Sequence, residues 1–240
     1  MLLVVFQAIV QTVSSTLHWL GFYVGIQVLP GGKTRRWRWG VGSAVIAGAW
    51  LIGVFLLAAA NFFHNDVMPP RIPMVLATTL VFGYLLLLSP AVRRIIAAVP
   101  QHRLIGIQGF RVLGSVFLVR YFAGQLPGLF AIPAGIGDVA TGLLAPFVAY
   151  AWYSGKPYAR GAAIAWNLFG MADLVNAVLL GTISNASAHG LVFPFVLIPV
   201  YAVPRAFLIH SYSLIGLVRR TSQQPRRAES LHYGAETAAA

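Results

Sequence analysis

Cysteine and charge are what this sequence lacks most. None of its 240 residues is cysteine, which excludes disulfides, thiolate metal sites and a cysteine nucleophile. Only 9% of the residues are charged, whereas 58% are hydrophobic. About a quarter of the residues of a soluble domain are charged, so this chain has too little charge to cover a water-facing surface. The composition therefore predicts a protein embedded in lipid.

Sequence motifs of several membrane-protein classes are also missing. The only lysines, Lys33 and Lys156, lie in predicted loops, so the last helix cannot carry a retinal Schiff base. The sequence has no H-E-x-x-H motif and no Walker motif, which excludes a zincin site and ATP-driven transport by this chain alone. Whether the protein is an enzyme stays open.

Seven apolar segments stand out along the chain. At 1.5 Å of rise per residue, each is long enough to cross, or nearly cross, a hydrocarbon core of about 30 Å. Backbone polar groups in lipid must bond within their own segment, so we predict an all-α polytopic transmembrane bundle of seven helices over residues 1–218. The segments are 4–28, 40–63, 73–91, 104–125, 129–152, 161–183 and 193–217.

The basic residues predict the orientation of this bundle. All but four of the 17 Lys and Arg lie in the first, third and fifth loops or after the last segment. The positive-inside rule places these regions in the cytoplasm, with the N-terminus outside and the C-terminus inside. The net charge of +12 then has a topological meaning and does not indicate nucleic acid. The predicted partner is the lipid bilayer, and a homo-oligomer or a membrane complex stays open.

Three shorter regions complete the predicted organisation. The N-terminal stretch has no basic region and no small-residue cleavage site, so we expect a retained helix and not a signal peptide. Residues 92–103 fit a short interfacial helix with arginines at headgroup level. Residues 219–240 are polar and basic, and we expect them to be a disordered cytoplasmic tail.

Ionisable residues inside the predicted helices are the candidate functional groups, because a charge in hydrocarbon is costly. Two arginines and two aspartates balance, and two buried ion pairs are the economical arrangement, although the sequence does not assign the pairs. Such pairs either form a substrate- or proton-binding centre or only fix the register of the helices. The primary candidates are Arg111, Asp138, Asp173 and Arg205, and the secondary ones are His18, Asn176 and His210.

Three local patterns bear on this centre. Residues 135–144 align without gaps to residues 170–179, which predicts Asp138 and Asp173 on facing antiparallel helices, unless the likeness is generic small-residue packing. Pro133 and the glycines before Asp138 predict a weakened helix. Helix 1 carries a polar stripe that must face other helices or water, made of Gln7, Gln11, Ser14, Ser15 and His18.

The segment from about 101 to 217 resembles a group of uncharacterised bacterial multi-pass membrane proteins. The residues behind this likeness are Gln108 with Arg111, the run FAIPAGIGD ending at Asp138, AWN ending at Asn167 followed by Asp173, and Pro204 with His210. The resemblance implies a bacterial inner (plasma) membrane setting and no particular activity.

Three functions follow from these observations as expectations. The first is transport of a small solute or proton-coupled movement, with an aspartate as the proton carrier. The second is a membrane redox or lipid-phase enzyme that binds haem or quinone, with His18 and His210 as the haem ligands. The first function, transport, needs no cofactor. The third is an accessory or structural subunit of a membrane complex.

Overall fold

The computed structural model describes residues 2–64 and 70–218, which contain helices and turns but no strand. The predicted tail at 219–240 lies outside the described residues. The α-helices are α1 (Leu2–Ile26), α2 (Lys33–Ala59), α3 (Arg71–Leu86), α4 (Pro90–Ala98), α5 (Gln101–Gly106), α6 (Val116–Phe122), α7 (Gly128–Tyr153), α8 (Ala159–Ile183) and α9 (residues 203–218). A 3₁₀ segment (Ile107–Ser115) joins α5 to α6, and a π-helical segment (Ile198–Ala202) precedes α9.

In the described part of the chain, four helices are long and apolar enough to cross a membrane. They are Lys33–Ala59, Gln101–Phe122, Gly128–Tyr153 and Ala159–Ile183. A fifth span results if α3 and α4, which meet at 95°, count as one. The predicted all-helical architecture is therefore confirmed, whereas seven spans and their orientation stay predictions.

Four helices end in the same way, with one residue in the left-handed conformation. Asn61, Gly124, Gly155 and Asn185 have φ values of 54°, 68°, 64° and 47°. The following N–H then bonds back to the last turn, for example from Lys156 to the carbonyl oxygen of Ala151 at 3.1 Å. This closure satisfies carbonyl groups that a helix end otherwise leaves free, and glycine and asparagine tolerate the conformation best.

Three predicted segments are not single straight helices. The third is divided at Ser89 because Pro90 begins α4 and cannot continue the hydrogen bonding of α3. The fourth contains the 3₁₀ segment, and the seventh contains the π-helical segment. Conversely, α7 runs unbroken through Pro133 and Pro146, so the expected weakening of that helix is not seen. The 3₁₀ and π-helical turns of the fourth and seventh segments are of a kind that frequently occurs at functional sites.

Helix α7 lies at the centre of the fold. It packs against α8, the 3₁₀ segment, α5 and α6. Helix α1 is peripheral and contacts mainly α4 and α2. The predicted interfacial helix corresponds to α4, which buries Val92 and Ile95 and exposes Arg93 and Arg94. The 3₁₀ segment and α8 therefore bring their polar side chains against α7 in the interior.

Candidate functional site

Arg111 is the centre of the most deeply buried charged group. It lies in the 3₁₀ segment, and its side chain is 2% exposed. Its Nε donates to Oδ1 of Asp138 on α7 at 2.7 Å, and its Nη2 donates to Oδ2 of Asp173 on α8. One guanidinium group therefore bridges two carboxylates from neighbouring helices. We call these three residues the Arg111 centre.

The charges of the Arg111 centre do not cancel. One guanidinium group faces two carboxyl groups, whose side chains are 11% and 7% exposed. With both carboxyl groups ionised, the centre carries a net charge of −1. Two carboxylates that share a site resist simultaneous ionisation, and burial strengthens that resistance. The arrangement is therefore suited to holding one proton on the carboxyl pair.

Glycine at two positions permits the close approach of these side chains. A Cβ on Gly137 would overlap the carboxyl group of Asp173. A Cβ on Gly170 would lie 2.5 Å from Nε2 of His210 and 3.1 Å from Nη1 of Arg111. Gly137 thus makes room for Asp173 of the opposite helix, and Gly170 makes room for His210 and Arg111.

His210 connects the Arg111 centre to a chain of neutral polar groups. Nη1 of Arg111 donates to Nε2 of His210 at 3.2 Å and to the carbonyl oxygen of Gly170 at 3.2 Å. Arginine can only donate, so Nε2 is an acceptor and Nδ1 carries the ring proton. That proton is directed to Oδ1 of Asn167 at 3.0 Å. His210 is therefore neutral, and both of its nitrogens are engaged.

The polar chain continues from Asn167 to α5. Nδ2 of Asn167 donates to Oγ of Ser213 at 2.9 Å and to the carbonyl oxygen of Ala163 at 2.7 Å. The same serine oxygen accepts from Nε2 of Gln101 at 2.5 Å. These residues are buried. The amide and ring N–H groups of this chain each meet an acceptor, so the network fixes the orientation of His210 and, through it, of Arg111.

Arg205 lies in a second polar group, on the side of α9 that faces α1. Its Nη1 donates to Oγ of Ser15 at 2.9 Å, and its Nη2 donates to Oε1 of Gln11 and Oγ of Ser14, both at 3.3 Å. The guanidinium group also stacks on the ring of Tyr201, 4.1 Å from its centroid. Within residues 2–64 and 70–218, no carboxylate contacts Arg205. We call these residues the Arg205 cluster.

Two small cavities border Asp138. The α8 cavity has a volume of about 50 Å³ and extends from Asp138 to Thr182 and Asn185, which are exposed near the end of α8. The α1 cavity has a volume of about 40 Å³ and extends from Asp138 and Arg111 to the polar stripe of α1. Phe6 and Leu113, which are exposed on the side of the bundle, line it as well. Asp138 thus lines two cavities whose exposed lining residues lie at different places on the surface.

The predicted site residues divide into three sets. Arg111, Asp138, Asp173 and His210 lie together, whereas the two separate ion pairs expected from the charge balance do not form. In the described part of the chain, Arg205 pairs with no aspartate. The polar stripe of α1 supplies neutral oxygens to it instead. Asn176 is exposed and does not face Asp138, although the alignment of the two repeats placed it there.

His18 belongs to the surroundings of the Arg205 cluster and not to the Arg111 centre. Its Nδ1 contacts the carbonyl oxygen of Ser14, and its ring lies 5.3 Å from that of Phe110. Ligation of one haem by His18 and His210 would require His210 to give up its bond to Arg111 or to Asn167. No group of three or more His, Asp or Glu that could hold a metal is found in the described ranges.

Sequence reasoning missed three residues of the network, Asn167, Ser213 and Gln101. Asn167 lies off the face of Asp173 on α8, so the helix face that carries the aspartate does not indicate it. The available signal was that a buried amide in a lipid-embedded helix needs partners, as a charged group does. A search for buried neutral residues with donors and acceptors to match would have included Asn167 and Ser213.

Comparison with known proteins gives a family without a described activity. The family described as "Domain of unknown function (DUF8737)" matches residues 69–218, which include the whole Arg111 centre and Arg205. No curated protein and no solved structure matches the chain. Since the match covers more than half of the chain, the protein belongs to this family.

Proposed function

We propose that this member of the DUF8737 family spans a bacterial inner membrane and moves protons, alone or with a small solute, through the Arg111 centre. The exterior supports the membrane setting. Large apolar side chains are widely exposed, for example Phe122 (83%), Phe147 (72%) and Ile183 (71%). An exterior of this kind is unfavourable in water and suited to lipid.

The observation that carries the proposal is the position of Asp138 between two cavities. A proton carrier needs a group that can hold a proton and can be reached from two sides. Asp138 shares one guanidinium group with Asp173, so the pair has a site for one proton. The α8 and α1 cavities are both lined by Asp138. The α8 cavity gives a proton a route to Asp138, and its transfer to the cytoplasmic side then requires a second conformation, because the α1 cavity opens laterally.

The sizes of the cavities limit what moves. A cavity of 10–15 Å³, measured by the space a water probe occupies, holds one water molecule. Volumes of about 50 and 40 Å³ admit a few water molecules or one small ion. In this conformation the route fits a proton carried along water and excludes a sugar or an amino acid.

The predicted orientation assigns a side to the α8 cavity. In the seven-helix arrangement with the N-terminus outside, the loop after α8 faces the periplasm. Thr182 and Asn185 at the end of that cavity would then face the outside of the cell. The α1 cavity would open laterally between α1 and the 3₁₀ segment, below that surface.

One observation favours a structural role as the second candidate. Arg111 joins four parts of the fold, because it bonds to groups on α7, α8 and α9 from its own 3₁₀ segment. A charge held in this way fixes helix register, as buried polar groups do in some proteins. On that reading the protein is an accessory subunit, and its protons never exchange.

Proton flux into proteoliposomes separates the two readings. We expect Asp138→Asn and Asp173→Asn each to reduce flux, measured with an enclosed pH-sensitive dye, by about a hundredfold or more, because the amide cannot carry a proton. In both variants Arg111 keeps one carboxylate, so the loss of unfolding free energy should stay within about 1–3 kcal/mol. Asn176→Ala, an exposed change on α8, is the matched control and should keep its flux.

Infrared spectroscopy gives a second readout that does not depend on flux. The purified protein should have the carbonyl band of a protonated carboxylic acid, and this band should disappear in Asp138→Asn or Asp173→Asn. Wild-type vesicles without proton movement, together with a spectrum without this band, would overturn the proposal. Normal flux in both variants combined with lower stability would instead support the structural role.

A further inference from the structure

The α1 cavity is lined by polar groups that proton movement does not require. Gln7 and Gln11 are 2% and 3% exposed and line it. Oε1 of Gln7 is buried and has no hydrogen-bond partner among the described residues. Gln11 uses its Oε1 to accept from Arg205, and its Nε2 donates to no described residue. The oxygen of Gln7 is an acceptor and cannot bind an anion, whereas the amide N–H groups of Gln7 and Gln11 meet no acceptor among the described residues and can donate to a ligand.

An arginine without a counter-ion lies beside the same cavity. Arg111 also lines the cavity, with its guanidinium group held by the two aspartates of the Arg111 centre. The guanidinium group of Arg205 lies behind the wall and bonds to Gln11 and Ser14, which line the cavity. All the oxygens that contact Arg205 are neutral, so its charge is solvated but not compensated by a neighbour. In a low-dielectric interior an uncompensated cation attracts an anion strongly.

We propose that the α1 cavity binds a small monovalent anion of the size of a halide or formate, and that this anion enters with the proton taken up by Asp138. This inference rests on the proposed proton movement and names the co-transported solute. The volume of about 40 Å³ excludes a phospholipid headgroup or a larger organic anion. The amides of Gln7 and Gln11 supply hydrogen-bond donors, and Arg205 supplies the charge.

Charge balance couples the anion to the proton. The charged groups that face Asp138 are Arg111 on the 3₁₀ segment and, through it, Asp173 on α8, while His210 on α9 is neutral. With both aspartates ionised, the charges of the two interior arginines and the two aspartates sum to zero. A proton on Asp138 with an anion in the cavity preserves this sum, whereas either ligand alone leaves a net charge in the interior. Each ligand therefore strengthens the binding of the other.

Calorimetric titration of the purified full-length protein tests the site. Chloride and formate are titrated separately in a gluconate buffer, because gluconate is too large for the cavity. We expect Arg205→Gln to weaken binding at least about tenfold, as for the loss of a charged partner, and Gln7→Leu to weaken it about twofold to tenfold. Thr16→Ala, an exposed change on α1, is the control and should bind as the wild type does.

The outcomes distinguish this inference from the proposed function. Absence of chloride and formate binding by the wild type would overturn the inference, even if flux that depends on Asp138 is measured. Binding that is unchanged in both Arg205→Gln and Gln7→Leu would also overturn it. If Arg205→Gln does not fold, Gln7→Leu alone decides, because it leaves every charge in place.

Coupling is tested in proteoliposomes with an inward chloride gradient. The gradient should drive proton uptake in the wild type and not in Asp138→Asn. Proton flux that does not depend on chloride or formate would be compatible with the proposed function and would overturn the coupling of anion and proton. Chloride binding that depends on Gln7 and Arg205, in a protein that moves no proton, would support the anion site and overturn the proposed function.

Discussion

Arg111 and Arg205 are two interior arginines of the same small bundle, and their surroundings differ in almost every respect. Arg111 bridges two carboxylates and contacts a neutral histidine. Arg205 contacts only hydroxyl, amide and carbonyl oxygens and the face of Tyr201. Arg111 therefore has more negative charge beside it than it can neutralise, whereas Arg205 has no negative charge beside it.

The difference lies in which neighbours each arginine meets. Arg111 lies where α7 and α8 approach closely, and each of these helices contributes one aspartate. Arg205 faces α1, which has no acidic residue. A charge balance taken over the whole interior is zero, but the local balances are negative at Arg111 and positive at Arg205. Separated local charges of this kind are what a site for a proton and an anion requires.

Replacing each arginine should reveal this asymmetry and give the largest effect on stability. Arg111→Gln leaves two buried carboxyl groups without a cation, so we expect a loss of about 3–5 kcal/mol of unfolding free energy. Arg205→Gln removes an uncompensated charge together with its hydrogen bonds, so we expect a loss of only about 1–2 kcal/mol. Denaturant unfolding in mixed micelles measures both. Equal losses would contradict the assignment of both aspartates to Arg111.

A substitution of intermediate effect tests the close approach of α7 and α8. Gly137→Ala places a methyl group against the carboxyl group of Asp173, and we expect it to cost about 1–3 kcal/mol. Gly53→Ala on α2 is the matched control, since a Cβ there meets no atom within 4 Å. The control should be neutral or slightly stabilising in a helix. Thermal unfolding of both variants checks this, and a tolerated Gly137→Ala would mean that the helices are further apart.

The smallest effect should come from one of the two asparagines of α8, which differ in burial. Asn167→Ala leaves the ring proton of His210 without an acceptor, so we expect a cost of about 1–3 kcal/mol. Asn176→Ala changes an exposed residue and should stay within about 0.5 kcal/mol of the wild type. The same unfolding assay compares them. If Asn176→Ala has a larger effect than Asn167→Ala, the result would support the arrangement that the repeated pattern predicts, in which Asn176 faces Asp138.

The fold class was accessible from the sequence because it depends on composition and segment length. Long apolar segments with internally bonded backbones have few alternatives to helices. The interruptions in the third, fourth and seventh segments were not accessible. Pro90 is a visible helix start, but the 3₁₀ winding around Arg111 depends on how closely α7 packs against it. Here a Cβ on Gly142 would lie 2.5 Å from the backbone nitrogen of Val112.

The repeated pattern around the two aspartates illustrates the same limit. Its small residues and acids predicted that Asp138 and Asp173 would face each other, and both do lie on one arginine. The pattern also predicted that Thr141 and Asn176 would be equivalent, but Thr141 is buried and Asn176 is exposed. A local pattern places residues on a helix face and does not decide which neighbour covers that face.

The sequence by itself determined that the chain is helical and apolar, and that four ionisable residues lie in its interior. These properties follow from hydropathy and backbone hydrogen bonding, which act locally along the chain. Only the tertiary structure decided that Asp138 and Asp173 share Arg111, that Arg205 is left to neutral partners, and that two cavities meet at Asp138. Pairing depends on distances between helices, and those distances are set by the packing of glycine and apolar side chains far apart in the sequence.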